Sequence, residues 1–488
     1  MRPRIGRRGF VKGLAAAAGL LGSPALAAGA QPQNRPATRS PGLPSRREFV
    51  VRHAYILTMD PTLGDIPDGD LHVKNGEIVA VGKALNAPGA MIIEGRHTIV
   101  LPGLIDTHCH MWTTYLRCMA GDRTEDGYFP MTTAYGRAMN PEDMYHSTRL
   151  AAAEAIYSGT TTVNDECHNV RSYDHAESDI KALEEIGVRA RWSYGAYRGL
   201  PAGQPRDMAS FQKLHENWAA HSSDGLMTLG LTAGGAGTTA DPLPADRLAI
   251  ARRELGLARQ LGVPISTHLS AKENTPPGWV EASYKAGFLG KDVLLMHVLS
   301  ASPAEMKMIA ASGSSVSASP GSELRIGYGL TKASAFMNAG VNVCVSVDTA
   351  PLTGSCHMFG VLKLLRNAEN AKAFDEFKLS ARRVLEMGTI DGARALGIDH
   401  LVGSLKPGKR ADLIMVSTNA LNMGVFTDPT HMIVEAAEPA NVDTVVVDGR
   451  ILKRGGKLTA CAPDEIIAGA QGVLASVGRR VQELRIEN

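Results

Sequence analysis

The chain has 488 residues, with 51 Lys and Arg against 49 Asp and Glu, a formal net charge of +2. That balance excludes nucleic-acid binding driven by bulk charge, and 44% apolar with 20% charged residues excludes disorder over most of the chain. The length holds one large barrel domain with additions, or two to three ordinary domains.

Residues 1–30 read as an export signal. Arg2, Arg4, Arg7 and Arg8 form a basic start, and Leu14 to Leu21 is an apolar run. Ala25-Leu26-Ala27 and Ala28-Gly29-Ala30 are small-x-small cleavage sites. The apolar run falls short of the roughly 20 residues of a membrane span, and no other segment is long and apolar enough. Arg7-Arg8-Gly9-Phe10-Val11-Lys12 is similar to the twin-arginine motif, with Gly6 where Ser or Thr is usual. An ordinary secretory signal or an uncleaved basic tail are the alternatives. The expected location is periplasmic or secreted. Residues 31–47, rich in Pro, Arg, Ser and Gln, read as a flexible lead-in. The six cysteines form no CxxC framework. We expect mostly free, buried thiols, with Cys118 and Cys356 as the exceptions.

Residues 48–100 hold short strands at Phe49–Thr58, Leu71–Lys74, Glu77–Val81 and Met91–Glu94. From 101 to 400 strands alternate with amphipathic helices. The expected strands are Ile99–Thr107, Thr160–Asp165, Arg189–Ala196, Met227–Thr232, Pro264–Leu269, Val293–Val298, Ser315–Ser319 and Val341–Asp348. Helical patterns fall between them, as at Pro141–Tyr157 and Asp174–Ile186. Apolar runs without strict alternation suit buried parallel strands. Eight of them predict an α/β fold, a (β/α)8 TIM-type barrel. A doubly wound open sheet lacks its GxGxxG. Residues 401–460 return to strands, Ala411–Val416 and Thr444–Val447, followed by the hairpin signal Asp448-Gly449-Arg450. The two β-rich ends are expected to pair into one small β-sandwich domain. Residues 461–488 carry a C-terminal helix, Pro463–Leu484.

Reactive groups of such a barrel sit at the C-terminal ends of its strands. Strand 1 ends in Asp106-Thr107-His108-Cys109-His110, and residues two apart share a face, so His108 and His110 can share an ion. Strand 5 ends at His268, strand 6 at His297 and strand 8 at Asp348. Four imidazoles and one carboxylate converging on one mouth suit Zn2+ or Fe2+.

At these residues the chain resembles the amidohydrolase superfamily, in its cytosine deaminase-like branch, which includes S-adenosylhomocysteine deaminases, guanine deaminases and triazine chlorohydrolases. The likeness spans about residues 48 to 460. Leu101-Pro102-Gly103-Leu104-Ile105-Asp106-Thr107-His108-Cys109-His110 resembles the family's PG-hydrophobic-D-x-H-x-H signature. Gly159-Thr160-Thr161-Thr162-Val163 is similar to its GTTT strand. The stretch from Gly403-Ser404-Leu405-Lys406-Pro407-Gly408 to Leu413 is similar to its return into the small β-domain. The resemblance implies that His108, His110, His268 and Asp348 hold one divalent metal, Zn2+ ahead of Fe2+. It implies that Asp348 takes the proton of the attacking water, and that His297 polarises that water or stabilises the intermediate. The end of strand 4, Leu231-Thr232-Ala233-Gly234, lacks the lysine of the two-metal branches, which favours one ion. The resemblance also implies a dimer or higher homo-oligomer.

One position departs from the pattern. Deaminases of the branch carry a Glu three residues after the strand-5 histidine, where this chain has Ala271. Without that general acid about 10²–10⁴-fold in rate is missing. His168 is the candidate for the role, with Glu273 and Asp165 beside the pocket; loop capping is the alternative for Asp165. Trp112 is either an aromatic wall or core. Glu323 and Arg325 are either a substrate amine and carboxylate pair of contacts or a surface ion pair. The expected function is metal-dependent hydrolysis of a small molecule, with hydroxide attacking an sp2 carbon bonded to nitrogen, foremost the deamination of an aminated heterocycle. The alternatives are amide, urea-type or carbon–halogen hydrolysis, and an exported metal-loaded binder without turnover.

Overall fold

The computed structural model describes residues 42–486 except 202, 223 and 234–244. The signal and most of the lead-in, residues 1–41, lie outside the described residues. The described end of the lead-in is docked: Leu43 packs on the main core, and Arg46 donates to Asp448.

The first strands are β1 (Phe49–Leu57), β2 (Asp65–Lys74), β3 (Glu77–Gly82) and β4 (Met91–Glu94). The expected strand Ile99–Thr107 is in fact two, β5 (Thr98–Pro102) and β6 (Leu104–Cys109). Pro102 has no N–H with which to continue a ladder. At Gly103 a Cβ would lie 2.0 Å from the Thr161 hydroxyl, and the Gly103 N–H turns away to the carbonyl of Asp412, 3.1 Å. β5 therefore joins the sheet of the chain ends, and β6 opens the barrel.

The barrel continues through β7 (Thr160–Val170), β8 (Arg189–Ala196), β9 (Met227–Thr232), β10 (Ile265–Leu269), β11 (Val293–His297), β12 (Ser315–Ala318) and β13 (Val343–Val345). Each pairs in parallel with the next in chain order. β6, β11, β12 and β13 are buried throughout, as strands covered on both faces are, and β11 and β13 are accordingly almost wholly apolar. The last expected strand, Val341–Asp348, is shorter, Val343–Val345, and Asp348, in a left-handed backbone of φ 70°, makes only an isolated bridge to Cys109. The ring closes at that point: the His110 N–H donates to the Asp348 carbonyl (2.7 Å) and the Asp348 N–H to the His108 carbonyl (2.9 Å).

The chain ends form one continuous mixed sheet. Its later strands are β14 (Leu413–Ser417), β15 (Val442–Val447), β16 (Arg450–Arg454) and β17 (Lys457–Leu458). The order is β17-β16-β15-β14-β5-β1-β2-β3, with β4 also paired to β1. Phe49, Leu71, Ile78, Ile93, Leu413 and Val446 share a core separate from that of the barrel, so the sheet curls around its own interior. Asp448 (φ 54°) and Gly449 (φ 73°) both take left-handed backbones, the requirement of a two-residue I′ hairpin between β15 and β16. The C-terminal helix, Pro463–Ile486, rests against the helix Pro141–Tyr157. All six cysteines are free thiols, with Cys118 exposed.

Candidate active site

The expected ligand residues meet at the C-terminal mouth. The imidazole centres of His108 and His110 are 4.7 Å apart, those of His108 and His268 4.7 Å, and those of His268 and His297 5.4 Å. Asp348 Oδ1 lies 3.2 Å from His108 Nε2 and 3.5 Å from His110 Nε2, and its Oδ2 lies 4.0 Å from His297 Nε2. His297 (φ 67°), Val298 (φ 54°) and Asp348 (φ 70°) all have left-handed backbones. For a β-branched residue such as Val298 this is a strained state, and strain of this kind collects at functional sites.

The donors fit a divalent cation. One ligand atom each from His108, His110 and Asp348 lies within 4.8 Å of the others, and the same holds for His108, His268 and His297. Both ring nitrogens of His108 are buried with no hydrogen-bond partner. Burial opposes a charge on His108, yet Glu166 and Asp348 overcome it and push its pKa up to about 10. Two buried carboxylates thus draw positive charge to this spot. Burial, reinforced by His108, drops His110 to about 3, and burial likewise lowers His268. Both are therefore neutral, the form in which imidazole binds a metal. Burial would raise Asp348, but the close approach of His108, 3.2 Å away, and the other imidazoles hold it well below the usual carboxylate range.

A cavity of about 330 Å³ opens over these residues. His168 and Ala271 line it, as do Tyr128, Phe129, Arg198 and Tyr328. The His168 ring lies 4.9 Å from that of His110 and 5.4 Å from that of His268. Burial and the adjacent imidazoles depress its pKa, leaving it neutral. The Arg198 guanidinium sits over the rings of Tyr128 (5.3 Å) and Phe129 (4.9 Å), and its Nε is buried without a partner.

Several expected substrate contacts are not in the cavity wall. Trp112 is fully buried, with its ring packed where Gly136 lacks a side chain, so it is core. Asp165 turns to the helix layer: it accepts from the Met111 N–H (3.1 Å), and burial together with Asp179 raises its pKa. Glu273 is exposed and accepts from the Leu330 N–H (3.0 Å), bracing the loop that carries Tyr328. Arg325 is exposed and donates to the Ala120 carbonyl (3.2 Å). Glu323 is wholly buried; it accepts from His297 Nδ1 (3.1 Å) and from the Ser319 N–H (2.9 Å). It holds His297 and makes no surface ion pair with Arg325.

The residue overlooked in the sequence is Glu166. It is wholly buried beneath the imidazoles, with Oε2 3.3 Å from His108 Nδ1 and 3.5 Å from His268 Nδ1. The signal was present: on β7, residues 164, 166 and 168 share one phase and 165, 167 and 169 the other. Applying period two to Asn164-Asp165-Glu166-Cys167-His168 pairs His168 with Glu166, not with Asp165. Arg198 was also findable, two residues beyond β8. Tyr128 and Phe129 begin a helix, Tyr128–Ala138, that no motif marks.

Residues 99–452 match the model of the amidohydrolase family. The chain belongs to the amidohydrolase family. This amidohydrolase is 28% identical over 445 residues to a 5'-deoxyadenosine deaminase of Methanosarcina barkeri, covering 89% of this chain and 99% of that one. It is 26% identical to a 5-methylthioadenosine/S-adenosylhomocysteine deaminase of Acetivibrio thermocellus, covering 86% and 96%. Among solved structures it is similar to an adenosine deaminase from Xanthomonas campestris with bound zinc (TM-score 0.78, 22% identity, 89% and 100% covered). An atrazine chlorohydrolase variant from Arthrobacter aurescens with zinc and atraton gives TM-score 0.76, 20% identity, and 87% and 100% covered. The amidohydrolase is a hydrolase acting on carbon–nitrogen bonds, and its mouth carries a cluster able to hold a metal.

Proposed function

We propose that this amidohydrolase deaminates an aminated heterocycle, with an adenine-type base as the leading substrate class, and that His108, His110, His268 and Asp348 hold one divalent ion, Zn2+ ahead of Fe2+. The observation that carries the reading is the meeting of those four residues with His297 at one end of a cavity of about 330 Å³. The deaminase names of the relatives support it. A bound divalent ion supplies a Lewis acid that lowers the pKa of water from 15.7 to about 7.

The residues divide the remaining work. Asp348 is held ionised, so it accepts the proton of the attacking water and returns it to the departing amine. His297, fixed through Nδ1 by Glu323, presents Nε2 to the attacking oxygen and then to the tetrahedral carbon's oxygen. His168, neutral and at the cavity wall, hydrogen-bonds the ring nitrogen of the heterocycle. Tyr128 and Phe129 offer aromatic faces to a flat base, and Arg198 offers the unpartnered Nε to a polar substituent. Water adds at the amine-bearing carbon, the carbon–nitrogen bond breaks, and ammonia leaves.

Ala271 favours a second reading. It stands in the cavity wall, at the place the resemblance reserves for a proton donor. A halide departs without a proton, so carbon–halogen hydrolysis tolerates alanine there. The test presents metal-loaded protein, with a chelated control, to aminated purines and their nucleosides, pterins and chlorinated triazines. Ammonia that disappears on chelation establishes the deaminase; halide without ammonia establishes the second reading; neither product rejects both. We also propose export by the twin-arginine route, checked by whether the periplasmic protein has lost residues up to Ala27 or Ala30.

A further inference from the structure

The backbone and side chain of residue 166 touch all three histidines of the proposed ligand set. The Glu166 carbonyl accepts from His110 Nδ1 at 2.9 Å. Its carboxylate Oε2 lies 3.3 Å from His108 Nδ1 and 3.5 Å from His268 Nδ1. The carboxylate is wholly inaccessible to water, and neither of its oxygens has a hydrogen-bond partner. A buried carboxylate so placed is costly unless it is put to use. The reaction outlined above gives it no step, and it is absent from the cavity wall.

The geometry on the two sides of His108 differs. Nε2 faces Asp348 at 3.2 Å, and Nδ1 faces Glu166. An imidazole that ligates through Nε2 carries its proton on Nδ1, and that N–H needs an acceptor to fix both tautomer and ring angle. We propose that Glu166 is the positioning residue of the metal centre, accepting Nδ1–H from His108 and His268 with its carboxylate and from His110 with its carbonyl, and remaining outside the ligand sphere. One residue of β7 then orients ligands contributed by β6, by the turn after it, and by β10. The negative charge of Glu166 adds to that of Asp348 and brings the charge of a divalent site with three neutral imidazoles to zero.

This inference rests on the ligand set proposed above, and its test separates the two. Zn2+ affinity is measured by competition with a chromophoric chelator for wild type, Glu166→Gln, Glu166→Ala and His108→Ala. The visible spectrum of each Co2+-loaded protein is recorded at saturating metal. A positioning role predicts affinity about 10–100-fold weaker in Glu166→Ala, a smaller loss in Glu166→Gln, which keeps an oxygen acceptor, and shifted Co2+ bands in both. Melting of the metal-free proteins controls for folding, and Glu166→Gln, the same size as Glu, carries the test if Glu166→Ala is unstable. Wild-type affinity and wild-type Co2+ bands in Glu166→Gln and Glu166→Ala overturn the positioning role alone. Unchanged affinity in His108→Ala overturns the ligand set and this inference with it.

Discussion

The two ends of the barrel treat buried charge in opposite ways. At the floor, Arg189 opens β8 and donates to both oxygens of Asp412, 2.7 and 3.0 Å. Asp448, alongside, accepts from Arg46 (2.7 Å), Arg410 (2.6 Å) and Arg450 (2.7 Å). Those carboxylates are saturated by the protein. At the mouth, both oxygens of Glu166 and both ring nitrogens of His108 lack hydrogen-bond partners, although all are buried. The difference identifies what each end is for. Saturated buried charge ties the end sheet to the barrel, whereas the open His108 Nε2, facing Asp348, needs something the chain does not contain.

The sharpest way to break this contrast is to remove a reacting group at the mouth. Asp348→Asn should lower kcat by about 10²–10⁴-fold, and His297→Ala by about 10²–10³-fold. Substrate binding should change far less, because the aromatic faces of Tyr128 and Phe129 remain. Stopped assays of ammonia or halide release, run with metal content measured on the same samples, provide the check. Retained turnover in Asp348→Asn would remove the mouth from the chemistry.

The complementary change is at the floor. Arg189→Met leaves the Asp412 carboxylate buried without its bidentate partner, and breaking such a pair costs about 3–5 kcal/mol. The melting temperature should fall while metal affinity and kcat per folded molecule stay at wild-type values. If activity fell with stability intact, the floor would be part of the site and the contrast would fail.

How much of this was legible in the sequence follows from the same contrast. The eight barrel strands were legible because short segments without strict polar alternation recur between amphipathic helices, and His108, His110, His268, His297 and Asp348 because strand ends set their position. The division at Gly103 was hidden. Ile99–Ile105 carries no polar side chain, and the missing N–H of Pro102 with the lack of space beside Thr161 marks where the chain changes sheets. Glu166 was missed for a different reason: chemistry was sought among residues near a strand end, when the phase of the strand decides which of them face inward. Glu273 and Arg325 were chosen for nearness in sequence to strand-end residues, and a loop and the end of a short helix carry that nearness away from the cavity.

A smaller effect sharpens the account of the end sheet. Lys453 is fully buried, and its ammonium donates to the carbonyls of Tyr157 (2.6 Å) and Pro439 (3.3 Å). Burial, partly offset by Asp443, lowers its pKa from 10.5 to about 8. Between those values the unfolded chain binds the proton that the folded chain has released, so this residue's contribution to stability rises with pH. The melting temperature of wild type, taken relative to Lys453→Met, should climb from about pH 8 to about pH 10. A flat difference would mean that the ammonium is solvated in the folded protein.

The smallest expected effect lies at the rim. Arg325 is close in sequence to Glu323, which holds His297, but its side chain is exposed and reaches only the Ala120 carbonyl. An exposed contact of that kind is worth within about 0.5 kcal/mol. Arg325→Ala should therefore leave kcat/KM within about twofold of wild type, a change of about 0.4 kcal/mol. Glu323→Gln, two residues earlier, should lower kcat, because the charge holding His297 Nδ1–H is lost while the shape remains. Assaying the two side by side tests whether inward facing or sequence proximity assigns a role. A tenfold rise in KM for Arg325→Ala would mean that the helix beyond β12, Pro320–Arg325, moves over the mouth when substrate binds, and the line between mouth and rim would have to be drawn around it.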